Sequence, residues 1–131
     1  MEQDNTIRIY HNPRCSKSRE TLALVQDVAQ REGLELNVID YQKTPPALAE
    51  LQTLHTQLGI NVRDMLRNNE DDYAALDLAS ADDGALMAAV ASHPKLLQRP
   101  VVSYRGKAAI GRPPESVLNL FNHQHNEKAA S

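Results

Sequence analysis

TIRIYHNPRCSKSRETLALVQDVAQREGLELNVID, residues 6–40, changes its hydrophobic period twice. Thr6 to Tyr10 alternates, with Ile7 and Ile9 on one face, as a half-buried strand does. From about Ser16 the apolar positions Leu22, Val25 and Val28 or Ala29 recur at helical spacing, and Gly33 is suited to end that helix. Alternation then returns through Leu34, Leu36 and Val38 in residues 34–41. A strand, a helix and a second strand so closely joined form a crossover unit, which implies parallel pairing and an α/β fold.

Downstream the pattern turns helical. Thr44 offers a cap with Pro45 and Pro46 in the first turn, and Leu48, Leu51, Leu54 and Leu58 mark one face up to Gly59. Asn61 precedes a shorter helix with Met65 and Leu66 inward. The acidic stretch around Glu70, Asp71 and Asp72 reads as a solvated turn. Ser80, with Asp83 three residues on, opens another helix that His93-Pro94 ends. After Arg99-Pro100, VVSY and KAAIG flank Arg105-Gly106 as a β-hairpin, and Pro113-Pro114 open a last helix through Val117, Leu118 and Phe121. The order β-α-β, helical insertion, β-β-α predicts a thioredoxin-like domain with a mixed four-stranded sheet. It spans residues 1–121, with the insertion at about 44–92, and residues 122–131 form a tail with nothing to bury.

At 131 residues the chain fits one domain able to bury a core without disulfides. Aromatics make up 4% with no tryptophan, so aliphatic residues must fill the interior. The acidic start lacks the marks of a secretion signal, and the expected compartment is the cytoplasm. No apolar run is long enough for a membrane helix, and a net charge of −3 disfavours nucleic acid. Charge is nonetheless segregated. Arg8, Arg14, Lys17 and Arg19 fall in residues 6–19 without an acid, and Lys95, Arg99, Arg105, Lys107 and Arg112 fall in residues 93–114 without an acid. Should these windows meet, they make a cationic cleft suited to a small anion.

The single cysteine, Cys15, lies where the first strand gives way to the helix. Unpaired amides and the helix dipole favour a thiolate there, with Arg14, Lys17 and Arg19 adding charge and His11 four residues before. The same amides can cradle an oxyanion, and arginines supply the planar fork that meets two oxygens. Arg99 and Arg112 each precede a proline, have restricted backbones and flank the hairpin, so both can approach one end of the sheet. Arg63, near a helix start, is a further candidate. His55 and His93 read as helix-surface or helix-end residues, and His123 with His125 as a polar tail rather than a metal site. A tyrosine-phosphatase loop needs arginine six positions after the cysteine, where Thr21 stands. Phosphate-binding glycine loops are absent.

IYHNPRCSKSRETL resembles the signature of the glutaredoxin-linked arsenate reductases (ArsC-like family). GINVRDMLR, HPKLLQRPVV and IGRPPESVL resemble the family in the same order. The resemblance implies a thioredoxin-like fold, Cys15 as nucleophile, and Arg63, Arg99 and Arg112 as ligands of the oxyanion. It also implies that His11 keeps the thiol ionised and that Pro100 is the cis proline of such folds. The implied substrate is arsenate, with glutathione as co-substrate, glutaredoxin as partner, and no bound cofactor or metal. With one cysteine, the resolving thiol is expected from outside the chain. Where detoxifying members of the family have Gly-Thr after the cysteine, this sequence has Ser16-Lys17. That leaves two alternatives: a thiol oxidoreductase acting on another oxyanion or a glutathione adduct, and a noncatalytic regulator binding RNA polymerase. The regulator branch usually carries Cys-x-x-Cys, and here Ser18 takes the second position.

Overall fold

The computed structural model describes residues 5–121. Among them are strands β1 (Thr6–His11), β2 (Glu35–Asp40), β3 (Val101–Tyr104) and β4 (Lys107–Ile110), and helices α1 (Ser16–Glu32), α2 (Leu48–Leu58), α3 (Asp71–Ala75) and α4 (Asp83–Ser92). Short 3-10 turns cover Val62–Met65, Leu78–Ser80, Pro94–Leu96 and Pro114–Leu118. The described residues divide into two compact units, one of residues 5–39 with 99–121 and one of residues 40–98.

The first unit holds the sheet, whose order is β2-β1-β3-β4. β3 pairs antiparallel with both β1 and β4, and the sheet as a whole is mixed. This is the thioredoxin-like topology expected from the two changes of period. One face carries Ile7, Ile9, Val102 and Tyr104 against Val25, Val28 and Ala29 of α1 and Val117 of the last turn. Burying aliphatic side chains contributes roughly 1.5–3 kcal/mol each, which anchors α1 over the sheet. The helix ends as predicted: Gly33 adopts φ 69°, ψ 34° and its amide bonds the Ala29 carbonyl. Arg105 (φ 50°) and Gly106 (φ 81°) are both left-handed, the signature of a tight two-residue hairpin turn. Phe121 packs on Tyr104 with ring centroids 5.0 Å apart.

The second unit is helical and buries Leu51, Leu54, Val62, Met65, Leu66, Leu86, Met87, Val90, Leu96 and Leu97. Main-chain bonds cross-link it, Arg67 N to Leu96 O at 2.7 Å and Gln98 N to Met65 O at 2.7 Å among them.

Several helix starts differ from the sequence expectation. Helix α2 begins at Leu48, after an extended Ala47, and a start at Pro45 is disfavoured because Pro46 follows it. Thr44 instead closes a turn built on Asp40, whose carboxylate accepts from the Gln42 and Lys43 amides. Leu48, expected on the inner face, is 43% exposed. Helix α4 is capped not by Ser80 but by Asp82, whose Oδ1 accepts from the Ala85 amide at 2.9 Å. Glu70 is no free solvated acid: its Oε2 lies 3.1 Å from Arg67 Nε. The tail with His123 and His125 lies outside the described residues.

Candidate active site

The sheet register determines which residues meet. Tyr10 faces Val101, and Val101 faces Ile110, so the chain beyond each of these positions emerges at one end of the sheet. From β1 come His11 and the loop to Cys15; before β3 stand Arg99 and Pro100; after β4 come Gly111 and Arg112. Arg99-Pro100 and Arg112-Pro113 are both cis peptides; the first agrees with the expectation for Pro100, and the second was not foreseen.

Cys15 occupies the cap position of α1 with extended backbone (φ −100°, ψ 125°), and its carbonyl accepts the Arg19 amide at 3.0 Å. Its own amide donates to Asn12 O at 3.0 Å, closing the loop into a tight turn. Partly exposed, the sulfur faces the helix start, where neither an acidic side chain nor a cap oxygen occupies the first turn. Arg112 Nη2 lies 3.8 Å from Sγ, and Arg112 Nε donates to the Arg99 carbonyl at 3.0 Å.

Burial works against ionisation of Cys15, but it is outweighed. The Ser18 amide, a hydrogen bond and the positive charge from Arg99, and the Lys17 amide together hold the thiol below its ordinary range. The guanidinium that lowers the thiol is that of Arg99; the Arg112 contact, at 3.8 Å, is at the long end for N–H···S.

His11 is buried at the end of β1. Its Nδ1 is 2.6 Å from Ser18 Oγ, and that same oxygen accepts the Asn12 amide at 2.9 Å. Ser18 is wholly buried, so this network fixes the loop to the first turn of α1 from below. Asn12 Oδ1 accepts the Arg14 amide, and Arg19 Nη1 donates to the Pro13 carbonyl. Sequence reasoning passed over Ser18 and Asn12 as site residues. Polar side chains on both sides of a lone cysteine, spaced to meet across one helical turn, were the signal available.

Arg63 belongs to the helical unit. Its guanidinium donates to Tyr73 Oη and Leu78 O at 2.9 Å each and to Ala81 O at 2.7 Å. It also lines a cleft of about 250 Å³ with Asp64, Leu66, Asn68, Tyr73 and Gln98. Of the predicted arginines, Arg99 and Arg112 are therefore gathered at Cys15 within one unit, while Arg63 ties together carbonyls of the other. Arg105 lies away from Cys15, at the far end of the hairpin. It sits on the hairpin turn, donating to Asn5 Oδ1 and stacking over Tyr104 at 5.3 Å. The described residues contain no cluster of three potential metal ligands.

A thioredoxin-like sheet with one ionisable cysteine at a helix start, faced by guanidinium groups, defines a class of thiol proteins built to engage anions. Within that class, the model described as the ArsC family matches residues 10–120. The chain belongs to the ArsC family. An uncharacterized protein of Escherichia coli, YfgD, is 48% identical over 117 residues, covering 87% of this chain and 95% of the relative. An arsenate reductase of Neisseria meningitidis serogroup A is 45% identical over 114 residues, covering 85% and 94%. The solved structure of an arsenate reductase from Vibrio cholerae is 49% identical, with a TM-score of 0.79 over 88% of this chain and 98% of that one.

Proposed function

We propose that this chain is an oxidoreductase that reduces arsenate to arsenite with glutathione and glutaredoxin. The observation that carries the reading is the convergence on Cys15 of a helix start, Arg99 and Arg112, which favours a thiolate and a tetrahedral anion together. The named arsenate reductases among its relatives support the choice of arsenic.

In this mechanism the Cys15 thiolate attacks arsenic(V), and one oxygen departs as water or hydroxide, leaving a covalent cysteinyl arsenate. Glutathione displaces a second oxygen. A glutaredoxin thiolate then attacks the glutathione sulfur; the pair of electrons from the arsenic–sulfur bond stays on arsenic, which becomes arsenic(III) as the new disulfide forms. Hydrolysis frees arsenite and restores Cys15. Arg99 and Arg112 hold the anion and its adduct, His11 supports the ionised thiol through Ser18, and Arg63 is assigned as a third ligand on the family resemblance. Supply of reduced glutathione suits a cytoplasmic setting, and no described helix is long and apolar enough to cross a membrane.

The test follows NADPH oxidation with arsenate, glutathione, glutaredoxin and glutathione reductase. Wild type is expected to turn over and Cys15→Ser to lose at least about a thousandfold, the scale expected when a covalent nucleophile is removed. A wild type that is alkylated rapidly at pH 6 yet leaves arsenate untouched would redirect the reading to another oxyanion or a glutathione adduct. Polymerase co-purification without turnover would point to a regulator.

A further inference from the structure

Gly111 is buried, and its backbone φ is not among the left-handed glycines of the structure. Conformation therefore does not require glycine there; space does. A Cβ built on Gly111 would stand 2.5 Å from Thr21 Oγ1, 2.9 Å from Pro100 Cγ and 3.0 Å from Thr21 Cγ2. These neighbours have little room to retreat. Thr21 is wholly buried on α1, its hydroxyl donating to the Lys17 carbonyl at 2.8 Å, and Pro100 is locked in a ring beside β3. The Gly111 amide also donates to the Pro100 carbonyl at 2.9 Å, so the backbone is pulled in from the side that a methyl would push out.

The next residue is Arg112, held between the Arg99 carbonyl and the Cys15 sulfur. We propose that Gly111 is a positioning residue: by letting the chain after β4 lie against Thr21 and Pro100, it sets the distance from the Arg112 guanidinium to Cys15. This rests on the reading of Cys15 and Arg112 as the anion site. Thr21 is its counterpart on α1, the wall against which that spacing is gauged. Any side chain at residue 111 moves the segment away from the second turn of α1 and withdraws Arg112 from the sulfur. A guanidinium removed from a thiolate stabilises it less, and a two-point grip on the oxyanion becomes a one-point grip.

The experiment compares wild type, Gly111→Ala, Thr21→Ala and the double variant by thermal unfolding, by iodoacetamide alkylation of Cys15 across pH, and by arsenate kinetics. Gly111→Ala is expected to slow alkylation at pH 6 by roughly threefold to tenfold, moving the thiol midpoint up. It should raise KM for arsenate about tenfold, with a smaller change in kcat. Thr21→Ala removes two of the three close contacts and leaves only that with Pro100 Cγ, so the double variant should recover most of the loss in both alkylation and KM measured against Thr21→Ala alone. A folded Gly111→Ala protein with wild-type alkylation and KM overturns the proposal, as does a double variant no better than Gly111→Ala. If Gly111→Ala does not fold, recovery of fold and alkylation by the double variant supports the proposal, and an unfolded double variant overturns it. Alkylation reads the spacing without arsenate, so an absence of arsenate turnover in all four proteins would count against the proposed function and leave this test intact.

Discussion

Ionising a half-buried thiol requires its surroundings to supply more than burial removes. At Cys15 the supply is split between main chain and side chain: amides of Ser18 and Lys17 that any sequence would present at a helix start, and the guanidinium of Arg99, which only this sequence presents. Arg99→Ala is therefore expected to raise the Cys15 titration midpoint without abolishing its depression, as thiolate absorbance against pH would show. The sign of the pH effect on stability follows. A thiol whose folded midpoint lies below its unfolded one stabilises the protein above the unfolded value, and that contribution fades as pH falls through the folded midpoint. The stability difference between wild type and Cys15→Ser, followed by urea unfolding, should change in the direction that disfavours wild type on acidification. Ser18 carries a different load. Replacing it with alanine strips a buried hydroxyl from both His11 Nδ1 and the Asn12 amide, at a cost of about 1–3 kcal/mol in unfolding free energy. The chemistry of Cys15 was legible from its position and neighbours. The serine's part was not, because a hydroxyl's partners seven residues away depend on how the loop closes.

Elements with a strong period were legible in outline, and their starts were not. β1, α1 and the hairpin follow from alternation, helical spacing and the Arg105-Gly106 turn, since each signal is repeated along the segment. A helix start rests on one or two residues, and several nearby side chains compete for it. At Ser80, Asp82 and Asp83 three capping residues lie within four positions, and the geometry selects Asp82. Asp82→Ala is expected to lower stability by about 1 kcal/mol, whereas Ser80→Ala should change it by less than about 0.5 kcal/mol; chemical denaturation distinguishes them. The cis Arg112-Pro113 peptide and the close approach at Gly111 were hidden, because they depend on strands and α1 meeting rather than on local preference, while the cis Pro100 was reached through the family resemblance alone.

At the scale of the molecule the basic residues are more selectively arranged than their clustering in sequence suggested. Arg99 and Arg112 reach Cys15, and Arg105 is held at the hairpin turn. The local cation density at the sulfur is thus a matter of a few groups set on a chain whose net charge is −3. Exposed charges act through screened fields with a Debye length of about 10 Å at 0.1 M salt. The KM for arsenate should accordingly rise severalfold between low and about 0.3 M sodium chloride, with kcat much less affected, as steady-state kinetics at fixed pH would show. The sequence placed Arg99 and Arg112 on either side of the hairpin and so toward one end of the sheet, but that Arg105, from the same basic window, stays away from the sulfur follows from the hairpin register.

Those two strands also confer an unexpected fragility. Arg99 and Arg112 stand just outside the paired residues of a single hairpin, so their mutual alignment is dictated by how many residues close its far loop. One amino acid inserted between Arg105 and Gly106, remote from sulfur and fully in solvent, would shift the pairing by a step and turn alternate side chains to the opposite surface. Activity would then vanish through a lesion touching no reactive atom, and a compensating deletion in the same loop should bring it back.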